Sequence, residues 1–137
     1  MKADNVKLVF DSNFVGEMTS PTGTIKLGSQ DNGMQPYHLL FGAIASCFYA
    51  TFLSVANKMR LTLSDVEIEV SGYKRDQTPA TLETVTIAMV VYNGSDEEKL
   101  RKAADLGAKY CSIHETVSKV ATIDLQVTFK TKELWQI

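Results

Sequence analysis

The first apolar positions of the chain alternate. Val6, Leu8 and Phe10 recur at every second residue, the period of a strand with one buried face. The segments FVGEMTS and TGTIKLG predict two further short strands, with Pro21 and Gly23 marking the turn between them. SQDNGMQ then reads as a loop. Pro36 suits the first turn of a helix, where a missing amide hydrogen has no intrahelical acceptor to lose. From Tyr37 to about Met59 the pattern predicts one helix, about 35 Å long if regular. Between Leu39 and Ala56 that helix carries no charge, and Gly42, Ala43, Ala45, Ser46 and Ala50 would let another backbone come close.

In DVEIEVSGYK, Val66, Ile68 and Val70 share one face and Glu67 and Glu69 the other. TLETVTIAMVVYNG is apolar on both faces and rich in β-branched residues, which predicts a central strand joined to its predecessor by a hairpin through RDQTPA. SDEEKLRKAADLGAKYC begins as a capping box, Ser95 with Glu98, and repeats apolar residues at Leu100, Ala103, Ala104 and Ala108. Gly107 weakens that helix. Ser112 and Glu115 offer a second capping box, and TIDLQVTFK alternates at Ile123, Leu125, Val127 and Phe129 as a last strand. Strands, long helix, strands, helix, strand is an α+β arrangement. It fits one domain, residues 1–137. A helix apolar all round must be enclosed, and this chain has little material left to wrap it. A homodimer joined over that helix resolves the shortage.

Composition narrows the function classes. Lys plus Arg is 14 and Asp plus Glu is 16, with no basic block, so nucleic acid is not an expected partner. The uncharged run approaches the length that spans a bilayer, but Gly42, Ser46, Thr51 and Ser54 within it, and the alternating strands around it, favour a helix buried in protein. No membrane partner is expected. Two cysteines make no disulfide scaffold, and MKADNVKLVF lacks the apolar core of a signal peptide, so the cytoplasm is the expected location. His38, His114, Cys47 and Cys111 lack the compact spacing of zinc ligands, and no phosphate-binding glycine motif occurs. Neither a metal nor a bound cofactor is expected.

The thiols are the remaining chemistry. Cys47 on its apolar helix reads either as a small hydrophobe or as a nucleophile. Cys111 lies at the start of a helix, where exposed amides favour a thiolate. If the fold brings the two together, one can attack an oxidant and the other resolve the sulfenic acid as a disulfide. Two inert thiols are the alternative. Phe41, Phe48 and Tyr49 would either line an apolar substrate site or face the core.

Together, PYHLLFGAIASCFYATFL and the later YCSIHETV resemble the family of osmotically inducible protein C (OsmC) and the organic hydroperoxide resistance proteins (Ohr). Pro36, Gly42, Ala45, Ser46 and Cys47 match its long-helix motif, and Cys111 and Ile113 its second cysteine segment. The resemblance implies an OsmC-like fold, with antiparallel sheets wrapped around a long buried central helix in an intertwined dimer. It also implies a peroxidase in oxidative-stress defence. Cys47 would attack an organic hydroperoxide, Cys111 would resolve, and an external dithiol or lipoyl reductant would restore the pair. A dimeric binding or structural protein without peroxidase activity is the other reading. Where those enzymes carry a glutamate, ten residues before the reactive cysteine, this chain has Tyr37, and its first arginine is Arg60 rather than one near the N-terminus. Tyr37, His38 and Lys26 are the auxiliary candidates, although a lysine lacks the fixed fork of a guanidinium.

Overall fold

The computed structural model describes residues 1–133. The chain divides into two compact units, residues 1–40 and residues from 41 onward. The last four positions of the expected 1–137 domain lie outside the described residues.

The first unit contains the three predicted strands, β1 (Lys7–Phe10), β2 (Val15–Thr19) and β3 (Thr24–Gly28), paired antiparallel in the order β1-β2-β3. The Ser20 hydroxyl accepts the amides of Thr22 and Gly23 at 3.2 and 3.1 Å and closes the β2–β3 turn. At Gly28 the backbone takes φ +87°, and a Cβ would lie 2.1 Å from the Phe14 carbonyl oxygen, so only glycine fits. The Gln30 side chain then donates to the carbonyls of Gly16 and Leu27, holding the following loop against the sheet. The expected buried face of β1 is corrected in this chain: Leu8 is 45% and Phe10 42% exposed. With Phe14, Leu27, Met34, Pro36 and Leu39 they border an apolar cleft of about 180 Å³.

The long helix is α1 (Pro36–Lys58), as its pattern predicted. In the second unit it accompanies β4 (Asp65–Lys74), β5 (Leu82–Tyr92), α2 (Glu97–Tyr110), α3 (Ser112–Ser118) and β6 (Thr122–Lys130). β5 is central, as expected, in the order β4-β5-β6. The register aligns Val66, Ile68 and Val70 with Val91, Met89 and Ile87, and these in turn with Phe129, Val127 and Leu125. One face of the sheet is therefore apolar across all three strands. The expected antiparallel pairing holds between β4 and β5, whereas β5 and β6 pair in parallel. The α2 and α3 segment between them is a crossover long enough to return the chain to the same end.

Two caps differ from expectation. Asp96, not Ser95, caps α2, its side chain accepting the Lys99 amide at 3.0 Å. Ser95 is occupied elsewhere, donating its amide to the Thr62 carbonyl and accepting the Thr62 amide on its hydroxyl at 3.0 Å. At α3 the cap is Cys111 instead of Ser112, and Glu115 pairs with Lys119 at 2.8 Å rather than folding back.

α1 is long and apolar enough to cross a membrane by length and composition, and 22% of its most apolar window is buried. Its buried residues, Ile44, Phe48, Phe52 and Ala56, form a single stripe at fourfold spacing. The expected enclosure on all sides is thus not achieved within one chain. Gly42, Ser46, Ala50 and Ser54 form an exposed stripe of small residues on another side, and nothing lies within 4 Å of where a Gly42 Cβ would be. On the buried side α2 comes very near: a Cβ on Gly107 would sit 2.9 Å from the Phe52 Cα.

Candidate active site

Cys47 and Cys111 are both free thiols. The fold of the second unit brings them together from residues far apart in sequence, Cys47 from the middle of α1 and Cys111 from the junction of α2 and α3. Cys47 is half-buried and Cys111 fully enclosed. The close passage of α2 over Phe52 sets Cys111 near α1, because Cys111 follows Gly107 by one helical turn.

The two sulfurs differ in acidity. Burial alone would push the Cys47 thiol up, yet its net direction is down. The neighbouring Cys111 thiol, the Ile113 amide, and the hydroxyl and amide of Ser112 act in the opposite sense and lower it. A thiolate gains more from such donors than a thiol does. Burial raises the Cys111 thiol, and the neighbouring Cys47 raises it further, against the opposing amides of His114 and Ile113. The His114 amide reaches the Cys111 sulfur at 3.3 Å. The sequence assigned the amides at this helix start to Cys111, and the His114 amide does reach that sulfur; Ser112 and Ile113 act also on Cys47, which approaches from α1. Their participation was missed because nothing local in CSIH points to a residue on another helix.

The aromatic candidates separate. Phe48 is fully buried and stacks on Phe52 with ring centroids 6.3 Å apart, so it packs the core. Phe41 lies near Gly72, on β4. Tyr49 lines an open cleft of about 510 Å³ together with Gly42, Ala45, Ser46, Ser64 and Asp65. Of the auxiliary candidates, Lys26 sits opposite Glu17 in the β2–β3 register, and the His38 Nδ1 accepts the Gln35 amide at 3.0 Å. Tyr37 follows Pro36 in the first turn of α1. Among the described residues, no group of three or more His, Cys, Asp or Glu is placed to hold a metal ion.

A family profile described as OsmC-like protein matches residues 28–126, which include both cysteines. The chain belongs to the OsmC-like family. Protein YhfA of Escherichia coli strain K12 is 27% identical over 122 residues, covering 86% of this chain and 90% of that protein. A crystal structure of a hypothetical protein from Aquifex aeolicus VF5 superposes with a TM-score of 0.86 at 26% identity, over 97% of this chain and 100% of that one. The organic hydroperoxide resistance protein OhrB of Bacillus subtilis shares the fold with a TM-score of 0.66 at 17% identity, covering 93% and 98% of the respective chains. The OsmC-like architecture thus extends to the long helix and to the second cysteine segment, the two places from which this chain's thiols meet.

Proposed function

We propose that this OsmC-like chain is a thiol-dependent peroxidase that reduces small organic hydroperoxides in the cytoplasm, with Cys47 attacking and Cys111 resolving. The observation that carries the reading is the pair of neighbouring free thiols, of which the more exposed, Cys47, is shifted down and the enclosed one, Cys111, up. The Cys47 thiolate attacks the distal peroxide oxygen. The O–O bond breaks, the alcohol leaves with a proton, and Cys47 becomes a sulfenic acid. Cys111 then attacks that sulfur, water departs and a disulfide forms. An external dithiol or lipoyl reductant returns both sulfurs to thiols by exchange. The test is consumption of cumene hydroperoxide with a dithiol. Multiple turnovers per chain are expected, and a rate no greater than that of protein alkylated at Cys47 would end the reading.

The working form in this proposal is an intertwined homodimer whose protomers are each one OsmC-like domain. The exposed stripe through Gly42, Ser46, Ala50 and Ser54, the open cleft beside it and the exposed apolar side chains of β1 support a second copy. Light scattering coupled to size exclusion at micromolar concentration is expected to give twice the chain mass. A monomer mass would remove the assembly from the proposal.

One observation favours the second reading, a dimeric binding or structural protein without peroxidase activity. Among the described residues, the groups that lower the Cys47 thiol are neutral donors, with no cation among them. The hydroperoxide assay separates the two readings directly.

A further inference from the structure

Past β6 the chain is drawn across the end of β5 toward β4. The side chain of Asn93, just beyond β5, treats Lys132 as a neighbouring strand would: its Oδ1 accepts the Lys132 amide at 3.2 Å and its Nδ2 donates to the Lys132 carbonyl at 3.0 Å. The same Nδ2 donates to the Ser64 hydroxyl at 3.1 Å, and that hydroxyl donates to Asp65 at 2.7 Å. The Lys132 ammonium lies over the Tyr92 ring, 4.4 Å from its centroid, and pairs with the Asp65 carboxylate. Asp65 is also a wall of the open cleft of about 510 Å³ between α1 and β4. Phe41 lies near Gly72, so α1 and β4 run in opposite directions, and Tyr49 stands at the Asp65 end of the cleft and Gly42 at the far end.

We propose that the segment Leu134, Trp135, Gln136 and Ile137, which lies outside the described residues, docks in this cleft of its own chain. The Lys132 clasp delivers it to the Asp65 end. Counted from Glu133, four residues reach at most about 14 Å when extended, and Gly42 to Tyr49 covers about 10 Å of α1, so the segment can run the length of the cleft. The chemistry also matches. The segment carries no charged side chain and three large apolar ones, whose burial is favourable. Among the described residues that line the cleft, Asp65 is the one with a charge, and Lys132 already meets it. Gly42 and Ala45 leave room for an indole, and Tyr49, Val66 and Ile68 give it apolar walls. Seated there, the segment covers the open side of α1 at Ala45 and Ser46, next to Cys47 in sequence, and supplies from the chain itself part of the enclosure that the helix lacks. A second copy over the exposed stripe of α1 would then rest on the seated segment as well as on the helix. Docking of the segment is independent of peroxidase activity.

Trp135 is the only tryptophan in the sequence, so tryptophan fluorescence of the full-length protein reports on this segment alone. Its emission is expected to lie to the blue of that of the same protein in urea, and acrylamide is expected to quench it severalfold less. Gly42→Phe places a ring in the cleft from a position with nothing within 4 Å of the added Cβ. With an unchanged far-ultraviolet circular dichroism spectrum, it is expected to shift the emission to the red and raise quenching toward the value in urea. Lys132→Gln, which releases Asp65 at the other end, is expected to move both readings in the same direction by less. Quenching in the parent equal to that in urea overturns the proposal, because the segment is then in water. Shielding that survives Gly42→Phe overturns it too, because the segment is then seated elsewhere. Shielding that disappears on dilution, in step with a fall in mass by light scattering, assigns the segment to a second copy and overturns it as well. Shielding that persists on dilution and is lost in Gly42→Phe upholds it.

Discussion

Cys47→Ser is expected to lower hydroperoxide consumption to the uncatalysed background, and Cys111→Ser to reduce it from many turnovers to a single oxidation per chain. The two losses have different causes. A serine hydroxyl stays protonated in the environment that favours the Cys47 thiolate, so the nucleophile itself disappears. In Cys111→Ser the first step survives, because a hydroxyl at that position can still donate toward the Cys47 sulfur as the Cys111 thiol does. The variant is also expected to fold. Cys111 caps α3 by accepting the His114 amide, and serine is among the best residues for that task. What fails is resolution, since an oxygen cannot close the disulfide. The sulfenic acid at Cys47 should then accumulate and be captured by dimedone in one equivalent. Steady turnover by Cys111→Ser at the parent rate would show that an external thiol, and not Cys111, resolves the intermediate.

How far the sequence could be read depends on what each feature encodes. Strands were legible where alternation is a property of the strand alone: Ile123, Leu125, Val127 and Phe129 align with Val85, Ile87, Met89 and Val91 on one apolar face. Alternation says nothing of strand direction, so the parallel pairing of β6 was not visible. Direction is decided by the crossover through α2 and α3. Caps failed for a related reason, since Ser95 and Asp96 are both good capping residues and the choice was made by Thr62, more than thirty positions away. Cys47 and Cys111 were both singled out, and their likeness to the OsmC pattern implied that they meet. That the amides after Cys111 would act on a second sulfur as well could not be read from CSIH, because that sulfur arrives from α1. The enclosure of α1 was expected from its composition, but burial within one chain reaches only the stripe through Ile44, Phe48, Phe52 and Ala56.

Gly107 looked like a weakness in α2, and on helix propensity alone Gly107→Ala should stabilise the chain by about 1 kcal/mol. The opposite is expected. The added Cβ would meet Phe52 at 2.9 Å from Cα, 3.0 Å from the amide nitrogen and 3.1 Å from Cβ. Two of these atoms are backbone of a buried helix face, so no side chain can swing aside and the helices must separate. Overpacking of this kind costs about 1 to 3 kcal/mol, which outweighs the propensity gain at most of that range. A net loss of about 1 kcal/mol is therefore expected for Gly107→Ala, and more for Gly107→Val, whose branched side chain adds more volume and gains less helix propensity than alanine does. The same displacement reaches the thiols. Cys111 lies one turn beyond Gly107, about 6 Å along the helix, and a disulfide requires Cα atoms within about 7 Å. The variants should form the Cys47 sulfenic acid at the parent rate but close the disulfide more slowly, as read by quenched mass spectrometry after one equivalent of hydroperoxide. Urea unfolding supplies the other half of the test. A midpoint for Gly107→Ala above that of the parent would mean that propensity prevails and that the passage of α2 over Phe52 does not control the distance between the sulfurs.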